Sequence, residues 1–208
     1  MAKQEYTSPI GELVFGNLIE PEPNLSEVMA WQGGLKLEND QLGQILEALD
    51  RCIVEESGRN PKFPNDAEKL QLPIKVATDK DPDDPEGDRI PSTTHSLVKF
   101  QRKLEYTAKK TGKVMQRSAP VIYDAKGTVV NGQIDELPWG STGRFYFVTK
   151  PYTFKGKSGV TLGLEGFQIA TLGETSTREV EAITGGWVAP ASDEVSMVES
   201  LAGAFEPD

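Results

Sequence analysis

The sequence is short of the residues from which most catalytic sites and covalent staples are built. Its single cysteine, Cys52, cannot form an internal disulfide, so nothing points to an oxidising compartment. Its single histidine, His95, removes multi-histidine metal sites and weakens any histidine-dependent nucleophilic triad. A partly exposed position at the start of a strand is expected for it. No apolar run approaches the roughly 18 residues of a membrane-spanning helix, and the opening MAKQEYTSPIGE has no signal-peptide core. A soluble protein, working in the cytoplasm, is the expectation. Apolar residues make up only 37% of the 208, against 20 glycines and 14 prolines. That balance fits a β-rich fold with a modest core and a share of loop or tail.

Motifs that would announce an enzyme fail on inspection. The tripeptide GKS at 156–158 lacks the glycine that a phosphate loop needs at 151, where proline stands, and it joins two strand-like runs rather than a strand and a helix. In DKDPDDPEGD (79–88), Asp79, Asp81 and Asp83 mimic the first calcium-loop ligands. The turn glycine is replaced by Asp84, however, and the closing acid by Ile90, so a solvated acidic loop is expected. Carboxylate pairs are plentiful but lie in loop and tail, without the apolar setting that separates their pKa values. Neither catalysis nor a cofactor is expected, although a carboxylate-metal nuclease stays open as an alternative.

What is present is a divided charge. Net charge is −10, yet residues 89–157 hold 13 Lys and Arg against 4 acids, while 1–88 hold 8 against 19 and 158–208 hold 1 against 9. A polyanion would meet a basic middle third inside an acidic chain. After Arg178 come seven acids and no base, in a stretch rich in Ala, Ser and Gly that ends FEPD. This reads as a disordered acidic C-terminal tail over 179–208, beyond a folded domain over 1–178.

Along that domain, 12–18 reads as a strand closed by the turn EPEPN, and 34–38 as a second strand. A helix is expected from Asn39 or Asp40 as N-cap to Gly58, burying Leu42, Ile45, Leu46, Leu49, Ile53 and Val54, with Cys52 as a small packed neighbour. Further strands are expected over 95–106, before the basic turn 108–113, and as a pair over 120–130. The longest signal is a hairpin, GRFYFVTKPYTF and GVTLGLEGFQIATL around a Lys/Gly loop. Val160, Leu162 and Leu164 share one parity and Phe167 and Ile169 the other, which predicts a bulge near Gly163 or Gly166.

Read at period two, the first hairpin strand puts Phe145, Phe147 and Thr149 on a core side. Arg144, Tyr146, Val148, Lys150, Tyr152 and Phe154 fall on the other. Rings interleaved with cations suit single-stranded nucleic acid, whose bases expose π-faces and whose phosphates want Lys and Arg. Tyr152, Phe154 and Tyr146 are the candidate stacking residues. Arg144, Lys150, Lys155, Lys157, Lys99, Arg102 and Lys103 are the candidate phosphate contacts, with Lys109, Lys110, Lys113 and Arg117 continuing the track. Tyr106 and Tyr123 are secondary aromatics. Seven carboxylates on a flexible tail could occupy such a groove until a strand displaces them.

The chain resembles a family of single-stranded DNA-binding proteins from tailed bacteriophages. The likeness runs from about residue 12 to 174 and rests on FGNLIEPEPN, on PVIYDAKG and on GRFYFVTKPYTFKGKSGVTLGLEGFQ. It implies an OB-fold, a five-stranded barrel binding single strands across one face, and an acidic tail contacting DNA replication or recombination proteins. A homodimer is implied by analogy only. Similar tails often end on an aromatic, whereas Phe205 stands three residues short of the end. The expected function is sequence-independent single-stranded DNA binding. A β-rich phage structural or adaptor protein, its basic face meeting another subunit, is the other class left open.

Overall fold

A computed structural model describes residues 4–24, 27–79, 89–108, 111–138 and 140–173. The acidic loop beyond Asp79 and the acidic tail lie outside the described residues, as do Lys109 and Lys110. The strands in chain order are β1 (Tyr6–Thr7), β2 (Gly11–Pro23), β3 (Met29–Glu38), β4 (Ile74–Asp79), β5 (Ile90–Lys103), β6 (Glu105–Thr107), β7 (Val114–Gln116), β8 (Val121–Tyr123), β9 (Thr142–Phe154) and β10 (Lys157–Thr171). One α-helix, α1 (Gly43–Arg59), follows β3 after a short 3-10 turn, Asn39–Leu42. Among the described residues no helix is long and apolar enough to cross a membrane.

Five of these strands close on themselves. β2 pairs with β3, β3 with β5, β5 with β10, β10 with β9, and β9 returns to β2. All are antiparallel except β5–β10, which is parallel through Leu162 opposite Phe100 and Gly163 opposite Gln101. A five-stranded ring with one parallel closure is the OB barrel that the sequence led us to expect. Closure removes the open edges of the sheet. Its interior is filled by four phenylalanines. Phe145 packs at 4.4 Å on Phe100 and 4.7 Å on Phe167, and Phe147 meets Phe100 edge-on at 5.4 Å. Gly33 faces this cluster because any Cβ there would lie 2.6 Å from the Phe145 ring.

The long hairpin forms as expected, with a tighter turn. Lys155 and Gly156 alone connect the strands, both left-handed at φ 48° and 78°, which is the geometry whose twist matches paired strands. The bulge falls between Leu164 and Gly166, on β10, so Phe167 and Ile169 join Val160, Leu162 and Leu164 inside.

Other expectations need correction. β2 does not stop at EPEPN. It runs to Pro23, paired with Met29, through a register break between Asn17 and Glu22 that takes in Pro21, whose missing N–H costs no ladder bond there. β3 begins at Met29 rather than Gly34, β5 begins at Ile90, and His95 lies within it, bonded through Nδ1 to Thr94 Oγ1. Of the pair expected over 120–130, only β8 is a strand; Val129 contributes a single bridge to Tyr123.

Helix α1 is rotated relative to the expected stripe. Ile45, Ala48, Leu49, Cys52 and Ile53 are buried, whereas Leu46 and Val54 are 43% and 70% exposed. The buried line thus runs through the small Ala48 and Cys52 as well as through Ile45, Leu49 and Ile53. Burial also pushes the Cys52 thiol pKa up, in keeping with a packing role. Neither Asn39 nor Asp40 caps the helix. Asn39 is spent on β5 instead, accepting from Ser96 Oγ at 2.8 Å and donating to the Thr93 carbonyl at 3.2 Å.

Strand β4 is fastened across β5 by an ion pair, Lys36 Nζ donating to Asp79 Oδ1 at 2.6 Å. The Lys36 ammonium, with the Ser92 hydroxyl, holds the Asp79 carboxyl below the usual aspartate range. A carboxyl depressed in the folded state stabilises the fold above its unfolded pKa, and that contribution is lost as pH falls through the folded value. Asp79→Asn should therefore melt below the parent protein at neutral pH. The gap should close as the pH drops beneath the ordinary aspartate range; thermal melts across pH would show it, and a constant gap would refute it.

Candidate nucleic-acid interface

The register of β9 against β10 is continuous from Arg144 to Phe147 and from Phe147 to Phe154 on the β9 side, the extra residue of the bulge belonging to β10. Alternation along β9 therefore holds. Phe145 and Phe147 are fully buried, and Arg144, Tyr146, Lys150 and Tyr152 are partly exposed on the opposite face. Val148 departs from its expected place. It is buried and, with Thr149, lines a cleft against Arg51, Cys52 and Glu55 of α1.

The outer face of β5, β10 and β9 holds a groove of about 730 Å³. Its lining includes Lys99 and Gln101 from β5, Thr161 from β10 and Tyr152 from β9. Phe15 from β2, Lys75 from β4 and Gln71 complete the polar and aromatic part, and among the described residues no carboxylate lines it. The Tyr152 ring lies across Gly159, where a Cβ would come within 2.7 Å of its hydroxyl, and that hydroxyl donates to Gln71 Oε1 at 2.9 Å. Glycine thus gives the ring a flat bed and glutamine fixes its angle. Phe15 lies in the same way against Gly34.

The remaining predicted residues fall into three groups. At the hairpin tip, Phe154 is 66% exposed with Lys155 Nζ 5.3 Å from its ring centre, and Lys157 is exposed beside them. Such an open ring and its cations suit a stacking and phosphate contact. Near the bulge, Lys150 Nζ stands 3.7 Å from Glu165 Oε1. Arg102 pairs with the other Glu165 oxygen, and also donates to the Leu164 carbonyl at 3.1 Å and the Ser118 carbonyl at 3.0 Å. Arg102 shares the parity of Val98 and Phe100, so its guanidinium closes the end of the barrel, while Lys99 and the exposed Lys103 face outward. Toward β8, Arg144 Nε and Tyr146 OH both donate to Gln168 Oε1, at 2.9 and 3.0 Å. Tyr123 meets Tyr146 edge-on at 5.7 Å. The β6–β7 hairpin carries Tyr106, 40% exposed under Arg117 at 4.7 Å.

Phe15, Lys75 and Glu165 escaped the sequence reading. A glycine pair in mid-strand, Gly33 and Gly34, is the signal for the close approach of a ring such as Phe15. Glu165 is the one acid in the β9–β10 hairpin. Lys75 carries no signal of its own, because only the β4–β5 pairing brings it to the groove.

Elsewhere the surface has the opposite sign. A cleft of about 480 Å³ on β2 is rimmed by Glu20, Glu22, Asp135 and Glu136 and would repel a polyanion. Among the described residues no group of three or more His, Cys, Asp or Glu is arranged to hold a metal.

No family model matches the sequence, and no curated protein matches it. Solved structures do. The crystal structure of gp2.5, a single-stranded DNA-binding protein encoded by bacteriophage T7, aligns over 88% of this chain and 100% of its own, at 20% identity and a TM-score of 0.58. The single-stranded DNA-binding protein of bacteriophage Enc34, in complex with single-stranded DNA, aligns over 82% of this chain and 88% of its own, at 12% identity and a TM-score of 0.56. A C-terminally truncated form of the Enc34 protein aligns over 82% and 87%, at 12% identity and a TM-score of 0.53. The barrel described above is thus the fold of the phage single-stranded DNA-binding proteins, the family that the sequence resembles.

Proposed function

We propose that the protein binds single-stranded DNA without sequence dependence, across the outer face of β5, β10 and β9, and acts in phage DNA replication or recombination. The observation that carries the reading is the groove in which Tyr152 and Phe15 lie flat beside Lys99 and Lys75, with no carboxylate among its described lining residues. Exposed bases stack on such rings, at about 1–3 kcal/mol each, and the lysines neutralise phosphates. Duplex DNA hides its base faces and gains only the charge contribution. Lys150, Lys103 and Arg144 extend the basic track, and Phe154 with Lys155 and Lys157 holds the strand at the hairpin tip. Arg102 serves chiefly to fix Glu165 and the barrel end. Two structural neighbours, from T7 and Enc34, are themselves single-stranded DNA-binding proteins, which supports the same ligand here.

On this reading the protein coats single strands in the cytoplasm of a bacterial host, melts hairpins and excludes nucleases, with no bond-making step of its own. The acidic residues of 179–208 compete for the groove while it is empty and, once displaced, contact replication or recombination proteins. Pairing into a homodimer is compatible with this role.

Titration of labelled oligo-dT at several salt concentrations tests the reading. Tight binding is expected, weaker for duplex, with log K falling linearly with log salt at about −0.7 per neutralised phosphate. Tyr152→Ala should weaken binding by about tenfold. Lys99→Ala should lower the slope by about one contact's worth. Salt-independent or absent binding would favour a protein partner for the basic face, and strand cutting with magnesium would favour a nuclease. Deleting residues 190–208 should raise affinity at low salt, with the gain fading as salt rises. An unchanged affinity would remove the competing role of the tail.

A further inference from the structure

At the opposite end of the face from the hairpin tip, a smaller pocket of about 350 Å³ is lined by Tyr123, Tyr146, Gly166, Gly127, Glu165 and Glu5. This is within the size of small-ligand sites. Two of its walls are the tyrosine rings, 5.7 Å apart and inclined at 75°, which form a corner rather than a slot. A flat ring entering it would stack on one tyrosine and meet the edge of the other. The Tyr146 wall is held fixed, since its hydroxyl donates to Gln168 Oε1 while Gln168 Nε2 donates to the Asp124 and Ala125 carbonyls at 3.1 and 3.3 Å. Gly166 forms the floor; a Cβ there would lie 2.8 Å from the Val121 carbonyl and 3.3 Å from the Tyr123 ring.

The rim is what distinguishes this pocket from the main groove. Glu165 faces it with an ionised partner on each oxygen, Arg102 on one and Lys150 on the other. A carboxylate has about four lone-pair directions, so two such contacts leave acceptor capacity, and it can offer no donor. Arg102 and Lys150 also hold the carboxylate in place.

We propose that this pocket is a nucleobase subsite that favours a base carrying an exocyclic amino group, with Glu165 as the acceptor. Cytosine presents an N4 amino donor where thymine presents the O4 acceptor, and carboxylate recognition of that amino group is an established base contact. A base with O4 at the rim would set two acceptors against each other. The inference rests on the single-stranded DNA reading and adds one mildly selective position to a strand otherwise held by stacking and charge.

Oligo-dC and oligo-dU of equal length isolate the amino group, because deoxyuridine lacks the thymine methyl. The full-length protein should bind oligo-dC about fivefold or more tightly than oligo-dU, as one hydrogen bond to a charged group allows. Glu165→Gln, which offers donor and acceptor alike, should bring the ratio to within about twofold, even if its absolute affinities rise from the lost negative charge. Tyr123→Ala should weaken oligo-dC binding more than oligo-dU binding, because the stacked base is the one the acceptor reads. A parent ratio near one, or a ratio that survives Glu165→Gln, would overturn the subsite while leaving oligo-dT binding, and so the wider DNA reading, intact. Failure to bind any of the oligomers would overturn both.

Discussion

The parallel contact of β10 with β5, at Leu162 opposite Phe100, is the constraint on which the rest of the molecule depends. It turns a meander of antiparallel strands into a closed ring and forces β10 to lie between β5 and β9. A strand of that length, Lys157–Thr171, twists too far around a small barrel to keep one parity inside throughout. The bulge between Leu164 and Gly166 resolves the conflict, letting Leu162, Leu164, Phe167 and Ile169 all reach the interior. The same irregularity brings Glu165 between Arg102 and Lys150 and sets Gly166 beneath two tyrosines. The geometry of the candidate site is thus a by-product of barrel closure.

Charge and shape divide the surface between them. Net charge of −10 argues against a polyanion ligand only if it is spread evenly, and it is not. Among the described residues the groove of Lys75, Lys99 and Tyr152 has no carboxylate in its lining, while a cleft on β2 is rimmed by four. Glycine supplies the shape. Wherever a ring must lie flat on the outer face, as Tyr152 does on Gly159 and Phe15 on Gly34, the strand beneath lacks a side chain. Rings held in this way lose little entropy on stacking a base, which is where preorganised sites gain affinity.

Much of this was legible in the sequence, and the exceptions have physical reasons. Alternation is a short-range property, so the hairpin, its bulge and the two sides of β9, Val148 excepted, could be read from residues 143–172 alone. The inner parity of Val98 and Phe100 already carried Arg102 inward, but a cationic residue in a basic run hides that assignment until the barrel end is seen. The stripe of α1 was misjudged because Leu46 and Val54 were counted inside on apolar character alone, whereas the small Ala48 takes a buried place and the line runs on through Cys52. Prolines at 21 and 23 resembled a turn because proline removes a donor, yet Pro21 falls in the register break of β2, which has no use for that donor, and Pro23 pairs with Met29 beyond it. Phe15 and Lys75 reach the groove through the pairings of β2 with β3 and β4 with β5; the glycine pair at 33 and 34 hints at the first, and no local pattern encodes the second.

Photocrosslinking of full-length protein to oligo-deoxyuridine bearing 5-iodouracil, followed by peptide mapping, would show whether the outer side of β5, β10 and β9 receives the strand. Crosslinks should concentrate on Phe15, Tyr152 and Phe154, the rings on which bases would stack. Crosslinks confined to α1 or to the β2 cleft would contradict that placement.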